Sequence, residues 1–153
     1  MAQQKTWALV TNGVRARILR ALEDDAGDEP IELISKASST HLRDIMSDKA
    51  GRSFASDANG RRSAMEPGSD PILRDMEDFA RETLATLDRH LRARHLTRLA
   101  IFAAPKMLGI LRQQMPAPLH DVVILEQDLN LINLPGADLR DAVIDALREE
   151  REV

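Results

Sequence analysis

Residues 96–126, LTRLAIFAAPKMLGILRQQMPAPLHDVVILE, decide the fold because two short apolar segments flank a helix-like one. The segments 96–104 and 120–126 contain continuous apolar runs at residues 99–104 and 122–125, which are typical of strands buried on both faces of a parallel sheet. Pro105 favours the first turn of a helix, and apolar residues recur at helical spacing over residues 106–115. The stretch therefore predicts a strand, a helix and a second strand, with the two strands parallel.

The beginning of the chain predicts a β-hairpin. Residues 6–11, TWALVT, are an apolar run, and the dipeptide Asn12-Gly13 that follows tolerates the positive φ of a tight turn. Apolar and basic residues alternate at first in residues 14–22, so we expect an antiparallel partner strand with Arg15 and Arg17 on a solvated face. A short helix is the alternative for this second segment.

The next part of the chain is less regular. We expect an acidic, solvated turn at residues 23–32, a third strand at residues 31–35 and a short helix within residues 38–46. Residues 48–70, DKAGRSFASDANGRRSAMEPGSD, have little periodicity and several glycines and serines, so they predict one long flexible loop. Loops of this length in a compact domain are either functional or disordered.

Two further helices complete the pattern. Asp70 is a favourable N-cap, and the apolar residues after it recur at three- and four-residue spacing, which predicts an amphipathic helix over residues 71–93. Asp138 is the predicted N-cap of a last helix. This order of elements predicts an α/β fold, with a mixed β-sheet of N-terminal antiparallel strands and C-terminal βαβ units flanked by helices. We expect one domain over residues 1–153.

Composition excludes several classes of protein. The chain has 153 residues and a net charge of −4, which fits one ordinary globular domain rather than a generally basic nucleic-acid coat. It has no cysteine, so disulfides, thiolate catalysis and cysteine-based zinc sites are excluded. No apolar run approaches the roughly 18 residues that span a bilayer, and the polar start is no secretory signal. We therefore expect a cytoplasmic location and no membrane partner.

The strand-to-helix junction AAPKMLGILR is a candidate anion site. Ligands of α/β sheets bind beyond the carboxyl ends of the strands, where helix N-termini present free N–H groups. Lys106 and Arg112 are positioned to hold an anion there, and Gly109 is included in this candidate site. The alternative is that Pro105 only starts a helix, that Gly109 allows close packing and that both bases are solvated.

The loop 48–70 is the second candidate. Its side chains Arg52, Ser53, Arg61 and Arg62 stand among glycines, which predicts a segment that closes over a phosphate backbone or a protein partner. An unspecialised insertion is the alternative, and the loop contains neither a P-loop nor a dinucleotide fingerprint.

Few residues suggest catalysis or metal binding. His41 lies nearest the loop and is a candidate acid or base, with Asp48 as a second candidate. His90 and His95 are five residues apart, off one helical face, and no histidines have metal-ligand spacing, so we expect no metal and no cofactor. Asp128 follows a predicted strand and faces a site if strand-end acids converge there. A structural role in its loop is the alternative.

Charge is distributed unevenly along the chain. The first twenty residues carry bases and no acid, whereas residues 81–98 hold five arginines and two acids, a local charge of +3. The tail at residues 138–152 has six acids and three arginines, a local charge of −3. This polarity permits one side of the molecule to dock on a polyanion, and a solvated helix face is the alternative.

Five segments occur in an order that covers nearly the whole chain. They are WALVTNGVRARIL, DKAGRSF, DPILRDMEDFARETLATL, AAPKMLGILR and DLNLI with the helix after it. Together they resemble the bacterial host attachment protein family, the proteins required for attachment to host cells. The resemblance implies a fold similar to the middle domain of archaeal and eukaryotic class I peptide chain release factors, which is RNase H-like, and kinship with relatives proposed to act at the ribosome.

In those release factors, a Gly-Gly-Gln loop between the third strand and the long helix reaches the peptidyl-transferase centre. The equivalent loop here, residues 48–70, contains Gly51-Arg52 and Asn59-Gly60-Arg61 but no glutamine. We therefore interpret the chain as a non-enzymatic binding module for RNA, the ribosome or an acidic protein. The alternatives are a ribosome-associated hydrolase of peptidyl-tRNA esters and a regulator of attachment that acts through protein contacts.

Overall fold

The computed structural model describes residues 4–24, 28–36 and 70–152. The strands are β1 Thr6–Thr11, β2 Arg15–Arg20, β3 Asp28–Ile34, β4 Arg98–Ala103 and β5 Val123–Gln127. The helices are α1 Pro71–Arg92, α2 Pro105–Gln114, α3 Ala117–Val122 and α4 Gly136–Glu152. The predicted helix within residues 38–46 and nearly all of the predicted loop 48–70 lie outside the described residues.

These strands form one mixed sheet in the order β3-β2-β1-β4-β5. The pairs β1–β2 and β2–β3 are antiparallel, whereas β1–β4 and β4–β5 are parallel. The predicted α/β fold with an antiparallel N-terminal half and a parallel C-terminal half is therefore confirmed. β1 is central and joins the two halves.

Helices cover both faces of the sheet. α1, α2 and α3 pack on one face, where Phe79, Ile101 and Met107 are buried in the larger apolar cluster. α4 packs on the other face, where Phe102 and Leu139 are buried in the second cluster. Because both faces are covered, β1 and β4 bury almost every side chain, which explains their continuous apolar sequences.

The predicted hairpin is confirmed, with its turn centred one residue later. The backbone N of Asn12 donates to the carbonyl O of Arg15 at 3.3 Å, so Gly13 and Val14 are the central residues. Gly13 has a φ of 106°, a conformation that favours glycine. The side chain of Asn12 accepts hydrogen bonds from the backbone N of Val14 and of Arg15, both at 3.0 Å, and so stabilises the turn.

The prediction of a solvated face for β2 is wrong at Arg17. Its side chain is only 8% exposed, because α4 and the loop before it cover this face of the sheet. Nη1 of Arg17 donates to the carbonyl oxygens of Ile132 at 3.3 Å and Leu134 at 2.6 Å. Arg15, nearer the end of the strand, remains 39% exposed.

Three predicted boundaries are also corrected. β3 begins at Asp28, inside the predicted acidic turn, because acidic residues here pair with a basic strand: Arg17 is in register with Glu32. The predicted strand at 120–126 begins only at Val123, since Pro118 lies in the first turn of α3, where proline is tolerated. α4 begins at Gly136, so Asp138 lies in its first turn and is not the N-cap.

The start of α1 is as predicted. Asp70 is the N-cap, and its carboxylate accepts hydrogen bonds from the backbone N of Ile72 at 3.0 Å and of Leu73 at 3.1 Å. Pro71 occupies the first turn, where its missing N–H costs nothing.

Candidate anion-binding surfaces

The carboxyl ends of the parallel strands β1, β4 and β5 meet at one edge of the sheet, which we call the carboxyl edge. α2 begins at this edge, directly after β4. Its N-cap is Ala104, whose side chain accepts no hydrogen bond, so the N-cap residue leaves the first N–H groups of α2 without a side-chain cap. Lys106 is exposed beside them. An anion placed here would meet the positive end of the helix dipole and a lysine amine.

The other predicted residues of this region have different surroundings. Nε of Arg112 is 2.7 Å from Oε1 of Glu126, so the charge of Arg112 is already balanced by an ion pair. Gly109 is exposed, and a Cβ atom added there would meet no atom of the described residues within 4 Å. Among those residues, the close packing that the alternative interpretation expected at Gly109 is therefore not found. Asp128 is exposed just after β5 and adds a negative charge at the carboxyl edge.

Both flanks of the segment 37–69 lie at the carboxyl edge. The backbone N of Ser35 donates to the carbonyl O of Val14 in the β1–β2 turn at 2.7 Å. Ser35 and Lys36 also line a small pocket with Asp75, near the start of α1. The remaining predicted site residues belong to the segment between these flanks and lie outside the described residues: His41, Asp48, Arg52, Ser53, Arg61 and Arg62.

The opposite edge of the sheet, where β1 and β4 begin, brings together two basic parts of the sequence. We call it the amino edge. The carbonyl O of Lys5 accepts hydrogen bonds from the backbone N of Thr97 at 2.8 Å and of Arg98 at 3.2 Å. Nζ of Lys5 donates to the carbonyl O of Arg94 at 3.0 Å. The basic start of the chain therefore lies beside the arginine-rich end of α1, which the spacing along the sequence does not reveal. The signal in the sequence is the excess of bases in both segments.

An acid at the amino edge is held by its neighbours. The carboxylate of Glu23 accepts hydrogen bonds from the backbone N of Thr6 at 2.9 and 3.1 Å and from the Thr6 hydroxyl. Nη2 of Arg98 lies 3.6 Å from the same carboxylate. The negative charge of Glu23 is therefore balanced locally.

Three neighbouring rings at this edge extend from the core to the surface. We call the rings of Trp7, His90 and His95 the ring ladder. Trp7 is 4% exposed, and the centroid of its ring is 5.0 Å from that of His90. The His90 ring is 5.1 Å from that of His95, which is exposed. Nδ1 of one histidine is 2.8 Å from Nδ1 of the other, so one nitrogen must donate and the other must accept.

The spacing along the sequence places the two histidines off a common face of one helix, and this contact corrects that placement. α1 ends at Arg92, and Arg94 adopts a φ of 66°, so the chain turns back and the backbone N of His95 donates to the carbonyl O of His90 at 2.9 Å. Partial burial, together with the charges of His95 and two arginines, lowers the pKa of His90 below its usual value of 6.5.

The described part of the chain, residues 4–24, 28–36 and 70–152, contains no cluster of three or more His, Asp or Glu side chains that could hold a metal ion. None of its helices is both long and apolar enough to cross a bilayer.

The described residues thus define a mixed α/β domain with charged surfaces at both edges of its sheet. The family model described as "Protein required for attachment to host cells" matches residues 7–143, and the chain belongs to this family. No curated protein matches the chain. Among solved structures, the chain is similar to an archaeal translation termination factor, aRF1, with a TM-score of 0.48 and 10% sequence identity. The similarity covers 96% of this chain and 40% of the length of that factor.

Proposed function

We propose that this chain is a non-enzymatic binding module that works in the cytoplasm and engages an anionic partner, RNA or an acidic protein. The contact is made by the segment 48–70 and by the start of α2. One observation carries the proposal: both flanks of residues 37–69, which include nearly all of that segment, lie at the carboxyl edge, where α2 also begins without a hydrogen bond to its N-cap side chain.

The charges of this region support the same proposal. Lys106 lies within the first turn of α2, so its amine and the helix dipole act on the same anion. The segment 48–70 contributes Arg52, Arg61 and Arg62 from the sequence. Arg112 contributes less, since Glu126 already balances its charge. We therefore place the contact at Lys106 and the arginines of the segment.

Fluorescence anisotropy with a labelled single-stranded RNA, and separately with a labelled polyglutamate peptide, tests the proposal. Binding of one probe should weaken as salt increases, and each cation that contacts a phosphate should contribute to the salt dependence. We expect Lys106→Ala and the double variant Arg61→Ala/Arg62→Ala to bind more weakly and to show a shallower salt dependence. Arg148→Ala is the matched control, because Arg148 lies on α4, is 66% exposed and pairs only loosely with Asp145 at 3.6 Å.

Two results would overturn the proposal. The first is binding that ignores both salt and the variants, or that falls equally in the control. The second is release of peptide from peptidyl-tRNA on stalled ribosomes by the purified chain, which would make the protein a hydrolase. Sedimentation of lysate at low and high salt adds a separate readout: comigration with ribosomal particles that is lost at high salt favours RNA as the partner.

A further inference from the structure

A pocket of about 390 Å³ lies at the amino edge, beside the ring ladder. It forms where the start of β1, the end of β2 and the turn after α1 meet. Its lining includes Gln4, Lys5, Trp7, Arg20, Asp24 and His95. β1 has six residues at about 3.3 Å each, so this pocket is about 20 Å from the carboxyl edge. A small ligand bound in this pocket would therefore not contact the start of α2.

The ring ladder gives the pocket a rigid aromatic wall. Trp7 is fixed in the core and lies against His90, and His90 holds His95 through the contact between their Nδ1 atoms. The His95 ring is thus positioned before any ligand arrives and is exposed on the pocket side. A preorganised ring of this kind favours stacking with a planar ligand, because little freedom is lost on binding.

Two cations face the same pocket. Arg20 donates through Nε and Nη2 to the carbonyl O of Glu29, at 2.8 and 2.6 Å, and its guanidinium carbon is 5.9 Å from the centre of the Trp7 ring. These contacts fix the guanidinium beside the pocket that Arg20 lines. Lys5 is exposed and is anchored by its bond to the carbonyl O of Arg94. Both cations are therefore positioned to bind an anionic group.

The pocket also contains groups that suit hydrogen-bond donors. Asp24 is exposed and presents a carboxylate, which accepts hydrogen bonds, and Gln4 presents an amide. Glu23 also lines the pocket, and its carboxylate is held by Thr6 and Arg98. Inorganic phosphate would gain from the cations but would leave the His95 ring and the Asp24 carboxylate without a partner. A ligand with a planar ring, an anionic group and hydroxyl or amino donors satisfies the three features together, and a nucleotide has all of them.

We propose that this pocket binds a nucleotide unit, with its base stacked on His95 and its phosphate between Lys5 and Arg20. The hydroxyl or amino groups of the unit donate to Asp24. The unit is either a free nucleotide or one residue of single-stranded RNA, since both present the same base and phosphate.

Fluorescence of Trp7 gives a direct readout, because Trp7 is the only tryptophan of the chain and lies at the base of the ladder. The purified chain is titrated with AMP, GMP, CMP, UMP, a seven-residue single-stranded RNA and inorganic phosphate. We expect a saturable change with at least one nucleotide or with the RNA, and binding of inorganic phosphate that is weaker by about fivefold or more, since stacking contributes at least this much. Much tighter binding of the RNA than of every mononucleotide identifies RNA as the source, and comparable binding identifies the free nucleotide.

Variants assign the contacts. His95→Ala should weaken binding by about tenfold, whereas His95→Phe keeps a ring and should retain most of it. Lys5→Ala should weaken binding and reduce its salt dependence. Arg81→Ala is the control, because Arg81 is 67% exposed on α1 and its partner Asp78 lies at 2.9 Å, away from the pocket. Circular dichroism confirms that each variant is folded.

Three results would overturn the proposal. One is the absence of saturable binding for every nucleotide and for the RNA. Another is inorganic phosphate that binds as tightly as the nucleotides, which would leave the ring without a role. The third is equal affinity of the original chain, His95→Ala and Lys5→Ala.

Discussion

Replacing Arg17 by methionine removes the contacts that hold the loop between β5 and α4 against the sheet. Nη1 of Arg17 donates to the carbonyl oxygens of Ile132 and Leu134, and the side chain is 8% exposed. Methionine retains most of the apolar stem but has no donor. The two carbonyl oxygens would lose their charged partner, with little access for water at Ile132, which is 1% exposed.

The expected loss follows from these two hydrogen bonds. A hydrogen bond to a charged group contributes about 1.5–3 kcal/mol to stability. The bond to Leu134 is short at 2.6 Å, whereas the bond to Ile132 is long at 3.3 Å and contributes less. We expect the free energy of unfolding to fall by about 3 kcal/mol. With a urea m-value of about 2 kcal/mol/M, the midpoint of unfolding shifts down by about 1.5 M.

Urea unfolding, followed by Trp7 fluorescence and by circular dichroism, measures this shift. Arg15→Met is the matched control, because the same change is made on the same strand at a side chain that is 39% exposed. Nη2 of Arg15 forms an exposed ion pair with Oε1 of Glu32 at 3.4 Å. An exposed ion pair contributes little, so the control should lose at most about 0.5 kcal/mol. Equal midpoints for the two variants would refute the conclusion that burial and hydrogen bonding distinguish Arg17 from Arg15.

Three further predictions concern the helices. Asp70→Ala removes the N-cap of α1 and should lower the free energy of unfolding by about 1 kcal/mol in urea unfolding. Gly109→Ala should raise it by about 0.5–1 kcal/mol, because the added Cβ meets no neighbour and alanine favours the helix. An NMR titration should give His90 a pKa below 6.5, since burial and the charge of His95 oppose its protonation. The unfolded chain then takes up this proton at a higher pH than the folded chain. The contribution of His90 to the free energy of unfolding is therefore fully present above about pH 6.5. It is lost as the pH falls from there through the pKa of folded His90.

Each of these predictions has its own contradicting result. Asp70→Asn keeps an N-cap acceptor, so a loss as large as that of Asp70→Ala would argue against capping. A less stable Gly109→Ala would show that a close neighbour exists at this position. A pKa of His90 at or above 6.5 would contradict the effect of burial and of the contact with His95.

Local features of the sequence predict much of the fold. The Asp70-Pro71 start of α1 depends on side chains within three residues of the helix end, so a local pattern reveals it. The parallel pairing of β4 and β5 follows from two apolar segments joined by a helix, because such a crossover connects parallel strands that are covered on both faces. The boundaries of α3 and β5 are harder to predict from the sequence, since Pro116 and Pro118 are equally compatible with the end of one helix and the start of the next.

The candidate sites show where local patterns are insufficient. The sequence places Lys106 at the start of a helix, and it shows an excess of bases in residues 1–20 and 81–98. It does not show that Lys5 bonds to the turn after α1, because that contact joins residues 89 positions apart. Nor does it place His95 beside His90, since the positive φ of Arg94 turns the chain back on α1.

The sequence by itself determined the mixed α/β fold, the start of α1 and the membership of the host attachment family, because side-chain periodicity, helix capping and family motifs are all written in short stretches of chain. Only the tertiary structure decided that Arg17 is buried, that the ring ladder forms and that the basic segments share one edge. These features depend on which helix covers which face of the sheet and on how the chain turns back after α1. The placement of the helices and the turn after α1 both depend on packing between segments that are distant in the sequence, so no local pattern predicts them.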